Sequence, residues 1–470
     1  MSATAIAFGV LVSRTLVLSA GVAGLVAIWS IRDLRHRAEG SASIGGDWIP
    51  AGWLILFFVS EWKLTFRSPL AAVSGSLTFE NKVEIAAYLM VAALTLLYLY
   101  PMRGPRRRIP VFPLVAWPAF AVLSTAWSLI PLFSLIRSLQ LFVPIALCFL
   151  MIRLWQQDPR AGAILFRRTL RLIIQLITVL AILGFASYGR WPDGRFTWPG
   201  APHPIVASGM VGLGLVFLVA GGRSATGFSL LSFLARIALF SAALAFGQTR
   251  SALLAVALAM LTTLWLAGRR KPGARYFTIS FYLGALLFIA TSTTVVGYLQ
   301  RGQYGGLSTL NGRLPIWTTA LGDVARSRRW LVGAGYGSTR VILFPQISYA
   351  GEAHNSWVQF LIELGSVGVA LAIIWMVFLG FRLFRSRPSF STTDRLAAAA
   401  FVYLLVLSGA DNYLSAPSFA FTTITLLYAL ALSRDQPLRL RSIPRGASSK
   451  RMPLKVPGQG PARAAEQRTA

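Results

Sequence analysis

Residues 355–381 read NSWVQFLIELGSVGVALAIIWMVFLGF, with Glu363 as the single charged side chain and Arg382, Arg385 and Arg387 following closely. A helix of about 20 apolar residues crosses a hydrocarbon core of roughly 30 Å, so this stretch reads as a membrane span with a basic flank. The same pattern recurs along the chain at 5–30, 48–66, 84–101, 110–127, 131–152, 171–188, 204–221, 229–247, 251–267, 276–297, 396–411 and 417–433. The stretch 48–66 carries Glu61 and Lys63 near its end and also suits an interfacial position. The expected fold is therefore all-α, a polytopic membrane helical bundle of about 12 transmembrane helices (11–13). One long outward loop containing short helices completes it.

Composition agrees. The chain of 470 residues is 55% hydrophobic and 13% charged, with a mean hydropathy of +0.63, more apolar than a soluble domain. In a soluble protein the net charge of +30 would point to nucleic acid. Here the arginines cluster between apolar spans (Arg32/Arg35/Arg37, Arg103/Arg106/Arg107/Arg108, Arg153/Arg160/Arg167/Arg168/Arg171, Arg269/Arg270/Lys271/Arg275). Such clusters mark the cytoplasmic side, and no nucleic-acid partner is expected. Cys148 is the only cysteine and lies in an apolar run, so it reads as packing. The first thirty residues lack a basic leader and contain Arg14, and read as a first span rather than a cleaved signal.

With the basic loops cytoplasmic, segments 67–83, 188–203 and 298–354 project outward. The domain organisation follows: N-terminal spans 1–109, a membrane core 110–297, a large outward loop 298–354, C-terminal spans 355–433, and a disordered basic tail 434–470. Within the long loop, Leu314, Ile316, Trp317, Ala320, Leu321 and Val324 recur at helical spacing, and Arg326, Arg328 and Arg329 follow. An amphipathic helix on the outer membrane surface is expected there.

Four charged or titratable residues sit at the outward boundary, where they cannot be orientation signals: Arg195, Arg250, Arg313 and His354. A guanidinium is a planar fork suited to phosphate oxygens, so several on one cavity would hold a diphosphate. For a single arginine the plain alternative is a snorkelling anchor. His354, at the junction of the long loop and the span 355–381, can take a proton near neutral pH; otherwise it is an interfacial histidine bonded to a backbone carbonyl. His203 reads as a turn residue and His36 as a solvated one. Glu363, inside a span, reads either as the partner of an arginine in a structural ion pair or as a catalytic group, and it is not assigned as the base. The glycines of Leu331-Val332-Gly333-Ala334-Gly335-Tyr336-Gly337 lie in no βαβ unit and read as a tightly turning or flexible loop. The sequence contains no P-loop, no two-histidine zinc helix and no outward Asp-x-Asp pair, so no cofactor or metal is expected.

The succession Gly312-Arg313-Leu314-Pro315-Ile316-Trp317, Gly333-Ala334-Gly335-Tyr336-Gly337, Ala353-His354-Asn355 and Glu363-Leu364-Gly365-Ser366-Val367-Gly368 resembles the signature of the O-antigen ligase/polymerase family. Gln248-Thr249-Arg250-Ser251-Ala252, Ser124-Thr125-Ala126-Trp127-Ser128 and the segment Asp193-Gly194-Arg195 to His203-Pro204 resemble further parts of it, over roughly residues 110–380. Pro204-Ile205 departs from the pattern, which often has Asn there. The resemblance implies a metal-independent inverting glycosyltransferase of the bacterial inner membrane with its active site facing the periplasm. Its donor would be an undecaprenyl-diphosphate-linked glycan. Arg195, Arg250 and Arg313 would bind the diphosphate, and His354 would position or deprotonate the acceptor hydroxyl, with Arg313 also counted as catalytic. The acceptor would be a second lipid-linked glycan in an exopolysaccharide or O-antigen polymerase, the reading preferred here, or lipid A core in a ligase. A transporter or flippase is the third reading; for it, His354 would be dispensable.

Overall fold

The computed structural model describes residues 48–62, 79–100, 109–186, 195–198, 204–268, 313–347, 351–385 and 390–433. The expected spans 5–30 and 276–297, the first part of the long loop, and the basic tail lie outside the described residues.

Within them the fold is all-helical. The helices are α1 (Trp48–Trp62), α2 (Phe79–Leu99), α3 (Phe112–Leu123), α4 (Pro131–Gln157), α5 (Pro159–Ala186), α6 (Pro204–Thr226), α7 (Leu230–Gly247) and α8 (Arg250–Ala267). Then come α9 (Arg313–Arg326), α10 (Thr339–Leu343), α11 (Ser356–Phe384), α12 (Thr392–Ser408) and α13 (Phe419–Ser433). Seven helices among the described residues are long and apolar enough to cross a membrane, and Trp48–Glu61, Phe112–Trp127 and Phe419–Ser433 are shorter apolar ones.

Local chemistry sets the boundaries. Proline opens α4, α5 and α6, where its missing N–H has no helical partner to lose. At α12, Ser391 and Asp394 form a reciprocal capping box, with the Asp394 carboxylate accepting from the Ser391 N–H at 2.7 Å. The run Arg153–Arg171, expected to be a basic loop, is instead helical on both sides of Asp158. Asp158 Oδ1 accepts from the N–H groups of Arg160 (2.8 Å) and Ala161 (3.2 Å), so it caps α5. Long arginine stems can lie along a helix end while their charge reaches water, and a basic stretch there need not be a loop.

Two helices form the interior. α6 packs against α5, α7, α8 and α12; a Cβ at Gly212 would sit 2.4 Å from the Tyr403 hydroxyl, so a small residue is what lets α12 approach. Every side chain of α13 is buried, enclosed by α1, α4, α11 and α12. Glu61, at the end of α1, accepts from the Phe419 N–H at 2.8 Å and satisfies the first turn of α13. Cys148 is fully buried, in keeping with packing.

α9 forms where the periodicity predicts it, but its apolar face does not lie on a membrane surface. Ile316, Ala320 and Val324 are buried against Ala334, Ile342, Leu343, Ala353 and Ile362, so α9 is clamped onto α10 and α11.

Candidate active site

One end of the bundle gathers the starts of α6, α8 and α11 and the end of α12. Tyr403 donates its hydroxyl proton to the Gly209 carbonyl at 2.7 Å, and Gly209 lies against Leu407, Tyr413 and Phe419. Thr249, in the α7–α8 turn, reaches the Pro204 carbonyl at 3.4 Å. The start of α11 is tied to the turn after α12: the Ser356 N–H and hydroxyl donate to the Asp411 carbonyl (3.1 and 2.9 Å), and the Ser356 hydroxyl accepts from the Leu414 N–H at 3.0 Å. Asn355 caps α11 by accepting from Trp357 and Val358 N–H and donates its own amide to the Gly409 carbonyl at 2.8 Å.

These bonds fix His354. Its backbone is left-handed, with φ of 49°, a conformation histidine adopts more readily than most residues but one that needs support. The neighbouring peptide supplies it: the Ala353 N–H donates to Gln359 Oε1 at 3.0 Å, and the Ala353 carbonyl accepts from the Trp317 indole at 2.8 Å. His354 Nδ1 lies 3.2 Å from Asp411 Oδ1. The imidazole remains 37% exposed while the carboxylate is 9% exposed, so one ring nitrogen is held from inside and the other is left for a ligand.

Burial alone would lower the basicity of His354, but the hydrogen bond and charge of Asp411, with the charge of Glu352, outweigh it and the opposing Arg313 charge. The imidazole is held above its ordinary value. For Asp411 burial acts upward and is outweighed by His354, by the Arg313 charge and by the Asn412 N–H, so its carboxyl is held below the usual range. Arg313, the first residue of α9, thus stands within electrostatic reach of both.

Arg250 opens α8 at this same end. Arg195 is buried, next to Phe196, whose N–H donates to the Phe246 carbonyl at 3.0 Å in the last turn of α7. The structure therefore gathers Arg313, His354 and Asp411 into one group and sets Arg195 and Arg250 against the α7–α8 turn. His203 lies outside the described residues. Asp411 escaped the sequence reading; its signal was a carboxylate in the polar break Gly409-Ala410-Asp411-Asn412 between two apolar runs.

Among the described residues Glu363 makes no direct ion pair with an arginine, although the charge of Arg340 acts on it. Its carboxylate accepts from the Thr339 hydroxyl at 2.9 Å and from the Gln359 amide, the same Gln359 that holds Ala353. Just beyond it α11 is broken: Gly365 has φ 64° and ψ −165°. The loop Trp330–Gly335 lies in the break, with Ala334 and Gly335 N–H donating to the Ile362 and Glu363 carbonyls (both 2.9 Å). In return Ser366 and Val367 N–H donate to the Trp330 and Leu331 carbonyls (2.7 and 3.2 Å). Irregular backbone at membrane depth is tolerated only when such groups are satisfied by protein. The glycines allow that closeness: a Cβ on Gly333 would be 2.3 Å from the Glu363 carbonyl carbon, and one on Gly365 2.3 Å from that of Leu331. Both also have positive φ. The glycine run is thus an ordered backbone seam. Its far side docks on the 124–128 turn, where Ser124 Oγ accepts from the Tyr336 N–H at 3.0 Å and the Trp127 indole donates to the Val332 carbonyl at 3.3 Å.

A multi-pass helical membrane protein with an ionisable site at one end of its bundle, built against a seamed helix break, is the class these features define. Residues 235–373, from α7 into α11, match the O-antigen ligase family, which supports the resemblance seen in the sequence. The matched segment contains Arg250, Arg313, His354 and Glu363; Arg195 and Asp411 fall outside it. No curated protein matches the chain.

Proposed function

We propose that the protein is a membrane glycosyltransferase that polymerises an undecaprenyl-diphosphate-linked glycan on the periplasmic side of the inner membrane. The observation that carries the reading is the His354–Asp411 pair with Arg313 beside it, on a chain whose residues 235–373 match the O-antigen ligase family. Above the raised value of His354, where the imidazole is neutral, Asp411 holds its Nδ1 proton and Nε2 accepts the proton of the acceptor hydroxyl. The acceptor oxygen bonds to the anomeric carbon from the face opposite the leaving group, with inversion. The bond from that carbon to the diphosphate oxygen breaks, and its electron pair leaves with undecaprenyl diphosphate. Arg195, Arg250 and Arg313 take up the charge that grows on the diphosphate in place of a divalent cation.

The test is transfer by the purified protein in nanodiscs, with an undecaprenyl-diphosphate-linked repeat unit and EDTA, comparing wild type with His354→Ala. Chain growth that needs His354 and survives EDTA is the expected result. Turnover only after lipid A core is added would replace the polymerase by a ligase, and turnover undiminished in His354→Ala would refute the mechanism.

A further inference from the structure

At the other end of the bundle, α5, the α6–α7 turn and α7 bring two arginines over one aromatic ring. The guanidinium carbons of Arg171 and Arg236 lie 5.4 and 4.1 Å from the centroid of Phe228. Arg171 donates to the Thr226 carbonyl at 3.1 Å and to the Gly227 carbonyl, and Arg236 bonds only within its own helix, to the carbonyl and hydroxyl of Ser232. Neither has a carboxylate partner among the described residues, and Arg236 Nε is buried with no hydrogen-bond partner.

The charge is also on the unfavourable end of its helix. α7 begins at Leu230 after the Ser229 cap, and its first turn has no acidic residue, so the positive end of the helix dipole adds to two guanidiniums. A single anion would offset all three. The adjoining surface of α7 is apolar and open: Leu230, Leu231 and Leu234 are 53%, 81% and 52% exposed. An anion that carries its own hydrocarbon fits both features.

A cavity of about 290 Å³ nearby, lined by Trp155, Arg167 and Ser391–Thr393, is a weaker candidate. The carboxylate of Asp394, bonded to Ser391 at its edge, repels an anion there.

We propose that Arg171, Arg236 and the start of α7 bind the phosphodiester of an anionic phospholipid whose acyl chains run along Leu231 and Leu234. The site is remote from His354 and does not depend on the glycosyltransferase reading.

The probe is phosphatidylglycerol, read by native mass spectrometry and by thermal unfolding in nanodiscs of phosphatidylcholine with and without it. Wild type and the Arg160→Gln control, an exposed arginine elsewhere on α5, should retain phosphatidylglycerol and be stabilised by it. Arg236→Gln should retain it at least about tenfold less well, with Arg236→Lys between, because a guanidinium–phosphate bond is worth about one factor of ten or more. All four proteins should unfold alike in phosphatidylcholine, which separates loss of ligand from misfolding. Wild-type retention by Arg236→Gln would overturn the proposal. So would stabilisation of the lipid-free protein by inorganic phosphate equal to that by phosphatidylglycerol, since the ligand would then be a free anion.

Discussion

His354 and Asp411 hold each other in charged form, and the two ends of the pH scale undo this in different ways. The imidazole is raised above 6.5, so its contribution to stability is complete below pH 6.5 and is lost as the pH climbs through the raised value. The carboxyl is lowered below 3.8, so its contribution is present above pH 3.8 and is lost on acidification through the depressed value. Wild type and Asp411→Asn should therefore differ most in unfolding temperature between those two values and converge in alkali. In the transfer assay, Asp411→Asn should lower the rate about a hundredfold and move the acid limb of the pH–rate profile to lower pH, because the charge that raises His354 is gone. An unmoved limb would show that Asp411 does not act through His354. His354 and Arg313 were legible in the sequence because each sits in a short motif at a span boundary. Asp411 was not, since a single carboxylate in a polar break belongs to no periodic pattern. Glu363 was legible as a buried charge, but its partners, a hydroxyl on α10 and an amide on its own helix, depend on how the loop folds back.

At the scale of elements, the seam in α11 makes the strongest claim. Gly333→Ala or Gly365→Ala drives a methyl into the opposing backbone at a positive φ and should destabilise the protein by at least about 3 kcal/mol, seen as a lower thermal midpoint in detergent. Gly322→Ala, on α9 with nothing within 4 Å of its new Cβ, should leave the midpoint unchanged or raise it, by up to about 1 kcal/mol in stability. Equal effects at the three positions would show that the seam does not hold α11. Glu61→Gln should weaken the α1–α13 junction by about 1 kcal/mol, by removing a carboxylate from a helix N-terminus. The spans were read from uninterrupted apolarity, which is a local property, and the described ones appear close to their expected limits. The start of α5 was missed because arginine at a helix end looks like arginine in a loop. The face of α9 was found, but periodicity reports that a face is apolar and not what covers it, so its burial against α10 and α11 could not be read.

Among the described residues the bundle has two different ends: ionisable groups paired around His354 at one, and arginines concentrated at the other from Arg153 to Arg171 and at Arg223 and Arg236. Under the proposed function, Arg250→Lys should raise the KM for the lipid-linked donor more than it lowers kcat, because an ammonium keeps the charge but loses the bidentate fork; an unchanged KM would remove Arg250 from the donor site. The seam also bears on biogenesis. The break lies nine residues into α11, about 14 Å from its start, and its freed peptide groups are met only by a loop that docks from outside the helix. Left in hydrocarbon without that loop, each such group is unfavourable by several kcal/mol. The kink of α11 and the docking of Trp330–Gly335 are therefore coupled: without that loop an unbroken helix is the favoured form of the segment in the bilayer.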